Sequence, residues 1–137
     1  MASNTPTTSG EPDGREPRGT LSIRTSCMPA DTNPDGDIFG GCLLGQMDIA
    51  GGIYAAGIAK GRTPTVAVDS MVFRKPVHVG DVICLYTDLI RIGKTSITVH
   101  VEAWVIRKHE TQRVLVTEGK FTYVALDAQR RPRPVKG

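Results

Sequence analysis

The chain has 137 residues, room for one domain, since typical domains use roughly 100–200. Hydrophobic residues make up 39% and charged ones 23%, a balance that excludes wholesale disorder. The net charge of +3, from 17 basic and 14 acidic side chains, is too mild to argue for nucleic acid. Residues 127–137 supply all of it, with Arg130, Arg131, Arg133 and Lys136 against Asp127.

Residues 1–18, MASNTPTTSGEPDGREPR, carry no hydrophobic periodicity and read as a disordered arm outside the fold. A body over 19–128 follows, and 129–137 is a basic, proline-rich tail expected to leave the sheet as an extended strip. Leu21 and Ile23 alternate with polar neighbours and suggest a first strand. Residues 28–37, with two prolines, Asn33, Asp35 and Gly36, form a loop. The apolar run 41–59 is too long for a strand and predicts a helix. Segments 65–73, 82–90, 95–106 and 114–126 are rich in Val, Ile, Thr and aromatics and are joined by turn residues, so four strands follow. In the third of them Ile97, Val99, Val101, Ala103 and Val105 share one face, with Thr98, His100 and Glu102 on the other, as in an antiparallel sheet with one face buried.

One helix and five strands make an α+β domain with the helix against a single sheet. Gly45, Gly51, Gly52 and Gly57 each cost about 1 kcal/mol relative to Ala in a helix, so close approach of a curved sheet is expected to compensate. The helix is apolar on nearly every side, and a sheet can cover only one. The other side predicts a dimer.

The run 38–59 superficially suggests a membrane span, but it holds four mid-run glycines, Gln46 and Asp48. A central Asp alone costs roughly 2.5–3.5 kcal/mol on insertion, so the span is rejected. Asp48 is the sole ionisable carboxylate in those 22 residues and lies too far into the helix to cap it. One reading is structural: a partly exposed Asp, or a buried one held by a donor. The other is functional, because an isolated buried carboxylate is costly unless paired or used. Gly40 and Gly41 fall at the helix start, where backbone N–H groups lack intrahelical partners and glycine lets a ligand approach. With Asp48 seven residues further on, that arrangement points to carbonyl chemistry.

The stretch MPADTNPDGDIFGGCLLGQMDIAGG (28–52) resembles the hotdog-fold acyl-CoA thioesterases, in particular their short bacterial YciA-type branch. TVAVDSMVFRKPVHVGD (65–81), IGKTSI (92–97) and VEAWV (101–105) match the same family in order and spacing, so the likeness covers roughly residues 20–129. It implies a hotdog fold: a long central helix wrapped by a five- or six-stranded antiparallel sheet, two protomers sharing one continuous sheet, and dimers assembling in threes. It also implies Asp48 as general base or nucleophile, Asn33 as a polar partner from the opposite protomer, and amides at Gly40, Gly41 and Cys42 polarising a thioester carbonyl.

Other residues carry weaker signals. Ser70 could bond substrate or merely line the sheet, and Asp69 reads as a salt-bridged or edge acid before a second site acid. Arg74, Lys75, Lys94 and Ser96 lie in or beside turns whose cations could pair with coenzyme A phosphates. Cys42 reads as a small wall residue of the acyl pocket, since no His is suited to activate it. His78, His100 and His109 are dispersed, so no metal is expected, and no cofactor beyond the coenzyme A of the substrate. Three cysteines without regular spacing, and no apolar run before Leu21, suggest a cytoplasmic protein with reduced thiols. A non-catalytic acyl-CoA sensor of the same fold is the main rival reading, and a hydratase the second. The sensor would lack the helix carboxylate; the hydratase would pair an Asp with a His in the site loop.

Overall fold

The computed structural model describes residues 15–26, 32–38 and 40–136. Cys27 and the first fourteen residues of the expected arm lie outside them. The elements run β1 (Thr20–Ser26), α1 (Gly40–Ala59), β2 (Thr65–Phe73), β3 (Val82–Ile92), β4 (Ser96–Ile106) and β5 (Arg113–Val124). The strands form one five-stranded sheet in the order β1-β3-β4-β5-β2, antiparallel throughout.

The alternation in β4 sets the core. Ile97, Val99, Val101, Ala103 and Val105 are all fully buried beneath α1, with Leu85, Val116, Phe121 and Tyr123 from the neighbouring strands. From the helix come Leu43, Met47, Ala50, Ala55 and Ala59. α1 is long and apolar enough to cross a membrane by length and composition, and it packs on the sheet as the core helix of the domain. Its far side is open: Gly41, Gly45, Ile49, Ile53 and Gly57, four apart, are all exposed, so within one protomer the helix is not buried all round.

The glycine expectation holds for two positions. A Cβ on Gly51 would lie 2.3 Å from the Tyr123 hydroxyl and one on Gly52 3.5 Å from its ring, so this pair admits Tyr123 under the helix. Gly45 and Gly57 have nothing within 4 Å, and no sheet contact compensates them.

Both ends of the chain depart from expectation. Residues 15–18, assigned to an arm outside the fold, lie on the sheet face turned away from α1. Arg15 bridges Glu102 and Glu118 at 3.1 Å each, and Arg18 pairs with Asp88 at 2.6 Å. The tail does not leave the sheet: Val135 is buried, its N–H donates to the Lys94 carbonyl, and Arg133 N–H donates to Ala125 O. The Arg133 side chain is the reason. Its guanidinium donates to Ala59 O at 2.7 Å, Leu126 O at 3.1 Å and Pro134 O at 3.0 Å, satisfying a carbonyl that the end of α1 leaves open.

The outer face of β4 also differs from a solvated polar face. Glu102 and Trp104 are fully buried there, and Trp104 packs with Cys84 and Leu115. Burial alone would raise the Glu102 pKa. Hydrogen bonds from the His100 ring, the Arg18 N–H and the Trp104 indole, with the His100 charge, outweigh it and hold the carboxyl at about 2.

Candidate active site

Asp48 sits at the edge of the helix beside the first residue of β2. Its Oδ1 accepts from Thr65 Oγ1 at 2.5 Å and from the Tyr123 hydroxyl at 3.2 Å, and that hydroxyl also lies 2.8 Å from the Asp48 carbonyl. Burial first, then the Asp48 charge and the hydrogen bond to it, push the Tyr123 phenol well up, so it keeps its proton and donates. One carboxylate oxygen is therefore anchored by two hydroxyls. Oδ2 has no protein partner among the described residues and is left to accept from something else.

Sequence reasoning missed both anchors. Thr65 lies 17 positions from Asp48 and Tyr123 lies 75, and only the fold joins them. The Gly51-Gly52 pair was the available signal, since two adjacent helix glycines imply a bulky neighbour close overhead.

Asn33 is held in its own loop. Its Oδ1 accepts from the N–H groups of Asp35 and Asp37, at 3.0 and 3.1 Å, and its Nδ2 donors have no partner among the described residues. The loop is fastened to residues 77–78 by Ile38 N–H to Val77 O and by His78 Nδ1 to Asp37 Oδ1, and this fixes where α1 begins. Gly40 and Gly41 open the helix and are exposed, Gly40 beside the Phe73 ring. Cys42 packs at the rim of the core.

Within one protomer these groups do not converge. Gly41 and Asp48 are seven residues apart on one helix, about 10 Å along its axis at ~1.5 Å per residue. A single thioester carbonyl cannot touch both. The Asn33 contacts among the described residues are all within its own loop.

β2 is one of the two edge strands of the sheet, and Val66, Val68, Val72 and Phe73 on it are exposed, Phe73 at 56%. Ser70 is not on a regular strand face. It has φ 56° within the shift of register between Asp69 and Val72, a β-bulge. Asp69 is an exposed edge acid 3.7 Å from Lys120.

The four expected phosphate contacts split between the two ends of the sheet. Arg74 follows the end of β2 and is already engaged by Glu118, through Nε and Nη2 at 3.1 and 2.6 Å. Lys75 adjoins it. Lys94 and Ser96 lie at the opposite end, beside Val124 and the start of β2.

His100 has two carboxylates for neighbours, while His78 pairs with Asp37 elsewhere. The ligand atoms of His100, Glu102 and Glu118 lie within 4.8 Å of one another, although Arg15 already supplies a cation there.

The thioesterase superfamily pattern matches residues 35–112. The acyl-CoA thioester hydrolase YciA of Salmonella typhimurium is 50% identical over 122 residues, 87% of this chain and 92% of that protein. The YciA protein of Escherichia coli K12 is 49% identical over 85% of this chain and 91% of its own length. Among solved structures, the hexameric thioesterase of Yersinia pestis superposes with a TM-score of 0.84 at 52% identity, covering 87% of this chain and 98% of that one. The hexameric hotdog-fold thioesterase of Campylobacter jejuni gives 0.79 at 36% identity, covering 85% and 90%. With its single helix on a five-stranded antiparallel sheet, the chain belongs to the thioesterase superfamily and has the hotdog fold.

Proposed function

We propose that the chain is an acyl-CoA thioester hydrolase, releasing a free acid and coenzyme A, with Asp48 as its general base. The observation that carries this is the Asp48 carboxylate, anchored through Oδ1 by Thr65 and Tyr123 with Oδ2 unengaged. Such a group can take a proton from water as the water oxygen attacks the thioester carbon. The tetrahedral oxyanion is received by N–H groups of the Gly40–Gly41 helix start, donors worth about 10²–10³ each in rate. Collapse breaks the C–S bond, and the thiolate leaves and takes up a proton. No metal or organic cofactor is required by these steps. The curated relatives are named for this reaction.

The 10 Å between carboxylate and amides makes each site a property of two protomers. In our reading, two β2 edges pair to cover Val66, Val68, Val72 and Phe73. This brings the Asn33 and Gly40–Gly41 end of one protomer to Asp48 of the other. Three such dimers would give the hexamer described for the Yersinia pestis and Campylobacter jejuni structures. A cytoplasmic location fits Cys42 and Cys84 standing outside any disulfide.

The test is acyl-CoA turnover, C2 to C16, by the wild type, Asp48→Asn and Asn33→Ala. Each variant alone should lose at least about a hundredfold in kcat. Refolded together in equal amounts they should recover roughly a quarter of wild-type activity, because half the dimers are mixed and each mixed dimer has one intact site. Binding of acyl-CoA without thiol release by the wild type would replace the hydrolase with the sensor. A mixture no better than its components would refute the shared site.

A further inference from the structure

We propose that His78 is a positioning residue for the hydrolysis: acting through Asp37, it holds in place the loop that presents Asn33. The proposal rests on the hydrolase reading above, in which Asn33 reaches Asp48 of the other protomer. It assigns a role to a side chain that is half in solvent, lies between β2 and β3, and takes no part in the steps already described.

Asn33 and Asp37 close the loop on each other. Asn33 N–H donates to Asp37 O at 2.7 Å, and Asp37 N–H returns a bond to Asn33 Oδ1 at 3.1 Å. These bonds fix the shape of the turn and leave open where the turn sits. Its attachment comes at the next two residues of the line. Ile38 N–H donates to Val77 O at 2.8 Å, Asp37 and His78 form a backbone bridge, and His78 Nδ1 stands 2.9 Å from Asp37 Oδ1.

The far end of that tether is itself anchored. His78 N–H donates to Asp81 Oδ2 at 2.8 Å, and Asp81 N–H donates back to His78 O at 3.0 Å. Asp81 is 2% exposed, a burial that a carboxylate tolerates when it is paired. Arg107, just beyond the end of β4, supplies the pair, and the same guanidinium donates to Pro76 O at 3.1 Å. Both flanks of His78 are thus tied to the end of a central strand. The ring gains a fixed direction that a surface histidine ordinarily lacks.

The chemistry suits a clamp. Nδ1 is assigned the proton, because an ionised carboxylate can only accept. The bond is therefore present in the neutral and the charged ring alike. Asp37 meets the ring with its carboxylate and Asn33 with its backbone, so one residue relays the position of the sheet to the amide. Without the tether the turn keeps its shape and loses its place. A displacement of about 1 Å in a positioning group can cost on the order of 10²-fold in rate.

The test is kcat and KM for one acyl-CoA in the wild type, His78→Ala, His78→Asn, Asn33→Ala and the double variant His78→Ala/Asn33→Ala. Amide hydrogen exchange of the wild type and His78→Ala runs beside it. His78→Ala should lower kcat about tenfold and leave KM within about twofold. His78→Asn, whose Nδ2 stands in for Nδ1 as donor to Asp37, should recover most of that loss. In the Asn33→Ala background the His78→Ala change should cost less than about twofold, because the group it positions is gone. Exchange at the Ile38 amide should quicken at least about tenfold in His78→Ala. An unchanged kcat in His78→Ala overturns the proposal. So does an equal loss in both backgrounds, which marks an effect that does not pass through Asn33. If Asn33→Ala keeps the wild-type kcat while Asp48→Asn loses it, the role given to Asn33 fails and this proposal falls with it. If the wild type cleaves no ester, the hydrolase reading fails separately, and the Ile38 exchange rate decides the clamp: quickened exchange upholds it and unchanged exchange overturns it.

Discussion

Replacing Gly51 by Ala opposes two effects that the structure lets one weigh. An ordinary helix interior gains about 1 kcal/mol from Gly→Ala. Here the new methyl would stand 2.3 Å from the Tyr123 hydroxyl, 3.0 Å from Cζ and 3.1 Å from Cε1. The ring cannot yield freely, because Tyr123 is 1% exposed and stacks on Phe121 with centroids 6.5 Å apart. Overpacking of this kind costs about 1–3 kcal/mol, and displacing the hydroxyl from Asp48 costs about 0.5–1.5 more. The net expectation is a loss of about 1–2 kcal/mol, or several degrees in Tm at fixed protein concentration. Activity should fall with it, since the Asp48 carboxylate loses an anchor. Tyr123→Phe removes the atom at 2.3 Å, so the double variant should be less destabilised than the sum of the singles, with a coupling of about 1 kcal/mol. Urea melts of the four proteins and kcat on one acyl-CoA measure all of this. A Gly51→Ala protein more stable than wild type, with unchanged kcat, would refute the account of the glycine pair and of Tyr123.

Two further predictions follow from the opposite ends of the chain. The Glu102 carboxyl is held at about 2 in the fold against 4.5 for an ordinary glutamate, so its contribution is complete above pH 4.5 and is lost as pH falls toward 2. At most about 3 kcal/mol is involved at ~1.4 kcal/mol per unit, and Glu102→Gln should flatten that part of the stability–pH curve in denaturant titrations. Arg133→Ala should cost about 1–3 kcal/mol by leaving the Ala59 and Leu126 carbonyls unpaired. Hydrogen exchange should then quicken at Arg133 and Val135, and protection that stays intact there would show the strap to be held by other contacts.

Patterning alone exposed much of this fold. The period-two alternation of β4, the long apolar run of α1 and the turn residues between strands are local signals, and each produced an element at nearly the right place. The Asp48 anomaly was equally local, a carboxylate where composition allowed none. What pattern could not supply was partnership across the sheet. Tyr123 and Thr65 reach Asp48 only because β5 lies beside β2, an adjacency that strand order decides and periodicity does not. The same holds for Arg133, which looked like one charge of a solvated tail until the end of α1 gave it carbonyls to bind. Glu102 was placed on a polar face correctly, and its burial came from residues 15–18, whose composition resembles a disordered segment.

The strand order also has a consequence for how the protein is made. β2 pairs with β5 alone within the protomer, and the chain must advance forty residues, from Phe73 to Arg113, before β5 begins. At about 5–20 residues per second of synthesis that is a wait of roughly 2–8 s. Throughout it TVAVDSMVF remains a strand without a template, rich in β-branched residues and interrupted by the single charge of Asp69. On a ribosome, then, Asp69 is the one charge in the segment, and a charge there opposes the pairing of two nascent chains before β5 arrives.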